Sequence, residues 1–229
     1  MFSLPVTMLH APDGFVSVPI AIAMWAITAV VVGYAVMRTN RQLDERAVPL
    51  LGVMAAFIFA AQMFNFPVGP GMSGHLLGGV LAAVLLGPWA ATLVMTAVVG
   101  VQALVFQDGG LLILGANIFN MGAVGTLGGY AVYRAVAALL GGERRGRLPA
   151  AAVAAWISVV GGALAITLQL AASGVVPLGL ALPAMVGAHA LIGIGEAAIT
   201  VAAIAFIGGT RADLLRLRET GAVPAGADR

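Results

Sequence analysis

The sequence predicts an all-α membrane protein, a bundle of about seven transmembrane helices. The chain has 229 residues, of which 61% are hydrophobic and 9% are charged, whereas charged residues make up about a quarter of a soluble domain. Its mean hydropathy is +1.06. Several apolar stretches reach the length of about 20 residues that a helix needs to cross a bilayer. The chain has no cysteine, which excludes disulfides and thiolate metal sites.

Seven apolar segments are expected to cross the membrane. The third and fourth are parts of one stretch that is too long for a single span, and Gly87-Pro88-Trp89 divides it, because glycine and proline break helices. The spans are residues 15–37, 48–64, 75–86, 89–106, 111–140, 148–172 and 179–207. We expect three regions along the chain: a metal-binding N-terminal lead (1–14), the transmembrane bundle (15–208) and a cytoplasmic tail (209–229).

The arginines predict the orientation of the bundle. All eleven basic residues are arginine, and most lie in the segments 38–46, 141–147 and 211–218. Arginine-rich loops stay in the cytoplasm. Seven spans with the N-terminus outside place all three segments inside, whereas six spans would separate the first two. The small net charge of +2 therefore reflects topology, and we expect a lipid bilayer around the chain and no nucleic-acid partner.

Polar side chains at membrane depth are the candidates for function, because each is costly there unless it is paired. His75 lies in a glycine-rich stretch, which predicts an irregular loop tolerated only where it lines a cavity. We favour a ligand role for it. The full set is Gln62, Asn65, His75, Gln102, Asp108, Asn117, Asn120, Gln169, His189 and Glu196.

Two amide pairs share a spacing of three residues, which places both members on one helix face. They are Gln62 with Asn65 and Asn117 with Asn120. We expect both pairs to converge with His75 on a pocket near the outer surface, although inter-helix hydrogen bonding is the alternative for any single amide.

His189 and Glu196 lie seven residues apart on one face of the last span. Substrate binding and proton relay are alternatives for this pair, and a structural or coupling role is favoured.

A metal site is predicted where two distant histidines meet. His10 lies in the N-terminal lead, and the topology places it on the same outer side as His75. An α-amine, a deprotonated amide nitrogen and an imidazole can hold an ion in one plane, and square-planar nitrogen ligands suit Ni(II) or Cu(II). His75 would supply the fourth nitrogen.

Four separated segments, 8–15, 62–79, 115–121 and 189–197, resemble a known family. It is the substrate-capture membrane subunit of cobalt/nickel energy-coupling factor transporters, the CbiM/NikM type. The resemblance runs from about His10 to Ile207. It implies seven spans and an N-terminal segment that plugs into the bundle.

The resemblance also implies a ligand set. Its matching positions are Leu9 (amine), His10 (amide and imidazole) and His75. Eight residues precede Leu9, so three options stay open: a start at Met8, cleavage of the lead, or a different coordination. The residues expected to line the surrounding pocket or to support the ligands are Met8, Gln62, Asn65, Ser73, Asn117 and Asn120.

The implied function is capture of Ni²⁺ or Co²⁺ outside a prokaryotic cell (inner) membrane and delivery inward by a multi-pass subunit. Planar nitrogen coordination favours nickel slightly, and the purpose stays open between cobalamin and a nickel enzyme. The chain has no G-x-x-x-x-G-K-[ST] motif. We therefore expect no enzyme activity, and as partners ABC-type ATPase subunits, a coupling transmembrane subunit and a small accessory membrane subunit.

Two alternative functions remain from the residues. One is an intramembrane metal-dependent enzyme, although the chain contains no H-E-x-x-H motif. The other is a membrane assembly subunit without a ligand, and metal binding by the purified protein would separate it from a transporter subunit.

Overall fold

The computed structural model describes residues 10–42, 48–64, 66–69 and 72–211, and only the backbone of residues 66–69, 72 and 73. This part of the chain is helical apart from one small hairpin. Its elements in order are α1 (Val18–Gln42), α2 (Val48–Gln62), β1 (Phe66–Gly69), β2 (Met72–Gly74), α3 (Gly79–Leu86), α4 (Pro88–Phe106), α5 (Leu114–Ile118), a π segment (Phe119–Gly128), α6 (Gly129–Leu139), α7 (Glu143–Ala172) and α8 (Leu178–Thr210).

Four of the described helices are long and apolar enough to cross a bilayer: α1, α4, α7 and α8, with 25, 19, 30 and 33 residues. The helices α5 and α6 are joined by the π segment without a break, so the three together form one further continuous helix. The helices α2 and α3 have only 15 and 8 residues. The all-α membrane fold is thus confirmed, while the number of crossings and the orientation stay predictions.

The predicted break between the third and fourth spans lies at Gly87. This residue has φ 85°, a conformation that glycine adopts without strain, and it ends α3 while Pro88 begins α4. Proline suits the first helical position, because the N–H that it lacks would have no partner there.

The prediction of a charged loop over residues 141–147 is wrong. Gly141 and Gly142 have φ 86° and 96° and make the turn by themselves. The helix α7 therefore begins directly afterwards at Glu143. At Gly146 a Cβ would lie 3.0 Å from the Cα of Ala137, so the missing side chain lets α7 pack closely on α6.

The glycine-rich stretch before α3 is not helical, as expected. Its strands β1 and β2 are antiparallel, with Phe66 opposite Gly74. An extended segment, residues 75–78, then leads into α3. Residues 79–85 are all buried, so α3 lies inside the bundle and not at its lipid-facing surface.

The first testable prediction concerns orientation. The arginine distribution places the end of α1 in the cytoplasm and the turn between α7 and α8 outside. Asn40 and Val175 are exposed at these two places. In intact cells an impermeant thiol reagent should therefore label Val175→Cys and leave Asn40→Cys unlabelled, and both should react after permeabilisation. The opposite pattern would invert the orientation.

Candidate metal-binding site

The three histidines of the chain line one cavity. Its volume is about 410 Å³, and its walls come from the N-terminal segment, residues 74–77, the π segment, α7 and α8. Imidazole is the side chain that most often binds transition metals. The polar and sulfur-bearing residues at the cavity are His10, His75, Asn117, Asn120, Met121, Met185 and His189.

The rings of His10 and His75 face each other across this cavity. Their centroids are 5.6 Å apart and their planes are inclined by 79°. His10 is buried, and neither of its ring nitrogens has a hydrogen-bond partner among the described residues. A buried polar group without a partner costs about 1–3 kcal/mol. An ion between the two rings would give the His10 imidazole the partner that the protein does not.

The environment of His10 keeps its imidazole neutral. Burial, and then the nearby His75, lower the pKa of His10 to about 4, although Asp108 acts in the opposite direction. The Nδ1 atom of His10 lies 3.6 Å from Oδ2 of Asp108, beyond hydrogen-bond distance. A neutral imidazole has a lone pair available for a metal at neutral pH.

Asp13 holds the N-terminal segment in place. Its carboxylate accepts hydrogen bonds from the backbone N–H groups of Leu111 (3.1 Å), Leu112 (2.9 Å) and Ile113 (3.2 Å). These groups precede α5 directly, where a carboxylate also interacts favourably with the helix dipole. The segment that carries His10 is therefore fixed to the start of another helix.

Further bonds fix His10 and Ala11 themselves. The N–H of His10 donates to Oδ1 of Asp108 (3.3 Å). The carbonyl of Ala11 accepts from the N–H of Gly110 (3.0 Å) and from Nδ2 of Asn117 (3.1 Å). A Cβ on Gly109 would lie 2.9 Å from the Cβ of His10, so the close approach of these two backbones requires glycine.

The extended segment that carries His75 is held by Glu196 of α8. The carboxylate of Glu196 accepts hydrogen bonds from the N–H groups of Leu77 (2.6 Å) and Gly78 (2.8 Å). Only 1% of Glu196 is exposed. The structure therefore places Glu196 beneath the cavity as a support of its wall, while the favoured structural or coupling role stays a prediction.

Gln62 does not line the cavity, which differs from the predicted convergence of both amide pairs. The helix α2 ends at Gln62, so the helix face that Gln62 was expected to share with Asn65 does not extend beyond it. Instead, Nε2 of Gln62 donates to the carbonyl of Leu77 (2.9 Å), and its Oε1 accepts from Gln102 (2.9 Å). Gln62 thus supports the His75 segment from α2, while Glu196 supports it from α8.

Asn117 and Asn120 both lie at the cavity, as expected. Asn120 forms a reciprocal amide pair with Gln169 of α7, with distances of 3.0 and 2.7 Å. This pair is the inter-helix bonding considered as the alternative, and it coexists with the position of Asn120 in the cavity wall. Asn117 helps to hold the N-terminal segment by donating a hydrogen bond to the carbonyl of Ala11.

His189 lies in the cavity wall on α8. Its Nδ1 is 2.8 Å from the carbonyl of Met185, one turn earlier in the same helix. If Nδ1 carries the proton and donates this bond, Nε2 remains available toward the cavity. The sequence placed His189 in a structural or coupling role, and the structure adds a position beside His10 and His75.

Several predicted residues lie outside the described part of the chain: Met8, Leu9, Asn65 and the side chain of Ser73. Among the described residues, no three His, Asp or Glu side chains are close enough to hold one ion together. The described site therefore offers two facing imidazoles, and an ion held by them needs further ligands.

Two features of the site were not predicted. The contacts of Asp13 were not predicted, although Asp13-Gly14 is a turn-forming pair. The π segment was also missed, since an apolar, glycine-rich span gives little periodicity to separate π from α winding. π-helical turns often occur at functional sites, and here the segment carries Asn120 and Met121 at the cavity.

Comparison with known proteins identifies a family whose model matches most of the chain. The family model CbiM, described as "Cobalt uptake substrate-specific transmembrane region", matches residues 10–214. A protein of Haloquadratum walsbyi named "Putative metal transport protein" is 42% identical over 194 residues, 84% of this chain and 86% of that protein. One of Archaeoglobus fulgidus named "Putative fused nickel transport protein NikMN" is 41% identical over 84% of this chain and 63% of its own length.

Two crystal structures have the same fold. One, titled as a transition metal transporter, gives a TM-score of 0.81 at 30% identity over 92% of this chain and 99% of that chain. A truncated transition metal transporter gives 0.79 at 32% identity over 86% and 97%.

The second testable prediction concerns docking of the N-terminal segment. In an NMR titration of the metal-free protein, the His10 ring should titrate near pH 4. Below pH 6.5 an undocked segment binds a proton that the docked one excludes, so docking weakens as the pH falls from 6.5 to 4. Asp13→Ala should move the midpoint up toward 6.5.

Ser17→Ala is the matched control on the same segment, because it keeps the backbone N–H that donates to Oγ of Ser173. Its midpoint should equal that of the wild type. A wild-type midpoint near 6.5 would contradict the buried position of His10.

The third testable prediction concerns Glu196. In Glu196→Gln an NH₂ group replaces one of the two acceptors, and a hydrogen bond to a charged group contributes about 1.5–3 kcal/mol. The amides of Leu77 and Gly78 should then exchange with solvent about 10- to 100-fold faster by hydrogen exchange. Glu143→Gln, which removes an exposed ion pair with Arg134, should leave both amides unchanged. Equal protection in Glu196→Gln and wild type would remove Glu196 from this role.

Proposed function

Since the chain belongs to the CbiM family of cobalt-uptake transmembrane regions, we propose that it is the substrate-binding membrane subunit of an energy-coupling factor transporter for Ni²⁺ or Co²⁺. The family and the relatives are metal-transport membrane proteins and not enzymes.

One observation supports the proposal above the others: a buried imidazole whose two nitrogens lack hydrogen-bond partners among the described residues faces a second imidazole across a cavity. An assembly subunit without a ligand would have no use for this arrangement, because the unsatisfied nitrogens destabilise the fold. A bound ion would give one of the two nitrogens a partner.

The proposed ligands are the imidazoles of His10 and His75 together with nitrogens of the backbone at Leu9 and His10 or of an amine near Met8. Such a set is planar and all-nitrogen, which favours Ni²⁺ over Co²⁺ on geometry. The names of the relatives include both metals, nickel for the Archaeoglobus protein and cobalt for a protein of Methanococcus voltae. Asn117, through Ala11, and Gln62, through Leu77, hold the two ligand segments.

The proposed partners follow from what this chain lacks. No nucleotide-binding motif is present, so ATPase subunits and a coupling transmembrane subunit would drive delivery inward across a prokaryotic inner membrane. Two relatives are named as fused transport proteins, and this chain spans 63% and 59% of their lengths. The word "fused" in these names supports a further transport component, which we propose to be a small accessory membrane subunit.

Release of the ion would use the contacts that hold the two ligands. His10 is fixed to the loop before α5, and His75 is fixed to α8 through Glu196. A movement of α8 relative to α5, driven by the partner subunits, would separate the imidazoles and lower the affinity.

The fourth testable prediction concerns the ligands. In calorimetric titrations with Ni²⁺ and Co²⁺, His10→Ala and His75→Ala should each abolish tight binding, because each loses a ligand nitrogen. Asn117→Ala should weaken binding by about 10- to 100-fold, as changes to residues that support ligands do. Arg134→Gln at the far end of the bundle is the control and should bind as the wild type does.

His189→Ala distinguishes two versions of the site. A loss within the range of Asn117→Ala would agree with a supporting role, and a loss as complete as that of His75→Ala would make His189 a third ligand. Wild-type affinity in His75→Ala would reject the site.

A further inference from the structure

A second cavity lies at the opposite end of the α7–α8 pair. Its volume is about 390 Å³, and it is lined by the start of α7 and the end of α8. Pro149 at this cavity and Val159 at the first are ten residues apart on α7, about 15 Å along a helix. The second cavity is therefore separate from the histidine site.

Three arginines give this cavity its charge: Arg144, Arg145 and Arg147. Among the described residues, Glu143 forms an ion pair with Arg134 (2.9 Å), and neither Arg144 nor Arg145 forms one. Both are exposed. The guanidinium group is suited to bidentate contacts with phosphate.

The position of the arginines on the helix adds to the positive charge. They occupy the first turns of a 30-residue helix, and no side chain caps its N-terminus at Gly142. The helix dipole makes this end positive. Glu143 lies in the first turn, but its carboxylate is paired with Arg134, so a further anion beside Arg144 and Arg145 is favourable here. The positive-inside rule explains basic residues on this side, but it does not require three of them around one cavity.

The remaining walls are apolar. Leu148, Pro149, Ile204 and Ala205 line the cavity beside the arginines, and Phe206 next to them is 70% exposed. Both helices are long enough to cross a bilayer, so their ends lie at the level of the headgroups. A ligand that fits is anionic at one end and apolar at the other.

We propose that this cavity binds the headgroup phosphate of an anionic phospholipid, with the start of its acyl chains against the exposed Leu148 and Ala205. Basic cavities between transmembrane helices bind such headgroups, and each basic residue near the surface strengthens binding about fivefold. A soluble phosphate would use the arginines but not the apolar wall, and this distinguishes the two sources of the same chemistry.

Native mass spectrometry of the detergent-purified full chain tests the proposal, with phosphatidylglycerol and phosphatidylcholine titrated separately. Phosphatidylglycerol should bind at least tenfold more tightly than phosphatidylcholine. The double variant Arg144→Gln/Arg145→Gln should lose about 10- to 30-fold of that affinity. The matched control Arg38→Gln/Arg41→Gln removes the same charge from the end of α1, away from the cavity, and should keep wild-type affinity.

Each of the possible results either supports or overturns the lipid site. Equal losses in both double variants would mean a general charge effect and overturn the site, as would equal binding of the two lipids. Two results would identify a soluble phosphate as the ligand in place of a lipid. They are displacement of phosphatidylglycerol by millimolar inorganic phosphate, and unchanged binding of phosphatidylglycerol in Leu148→Ser. Thermal unfolding of each variant without lipid is the folding control. A midpoint equal to that of the wild type shows that a loss of lipid binding is not caused by a loss of folding.

Discussion

The site depends on one interaction, the carboxylate of Glu196 accepting the N–H groups of Leu77 and Gly78. Non-helical backbone inside a membrane survives only when its polar groups are satisfied by protein. Glu196 satisfies the donors, and Gln62 satisfies the carbonyl of Leu77. Because of these bonds, the chain can enter the bundle as an extended segment and present His75 to a cavity instead of winding into a helix.

The two facing histidines are held by different kinds of structure. His75 is fixed from within the bundle, by side chains of α2 and α8. His10 lies in a short non-helical segment. This segment is fixed by Asp13, whose carboxylate accepts hydrogen bonds from backbone N–H groups just before α5. The two histidines are far apart in sequence. The site therefore exists only once the N-terminal segment and the extended segment with His75 have both packed against the helices. The facing of the imidazoles is thus a property of the tertiary fold.

Much of the bundle could be predicted because hydropathy and helix-breaking residues act locally. The break at Gly87-Pro88 and the irregular stretch before α3 follow from residues whose backbone preferences are strong. The histidines and Asn117 could be found because polar groups in a membrane are costly. The contacts that Gln62 and Asp13 make with the ligand segments were not predicted, because they are contacts with backbone groups, and a sequence does not mark which backbone groups lack a helical partner. The start of α7 was misplaced since charge was taken to mean a loop, although two glycines already made the turn.

The short α3, whose residues 79–85 are all buried, has a consequence for how the protein is made. Eight residues of helix measure about 12 Å, against a hydrocarbon core of about 30 Å, so α3 is too short to be recognised and inserted by the translocation machinery as an independent unit. Its entry must be coupled to α4, which follows after Gly87 alone. Its buried surface is complete only when α7 and α8 emerge from the ribosome, more than fifty residues later. Biogenesis therefore requires the centre of the bundle to remain open until the last helix is synthesised.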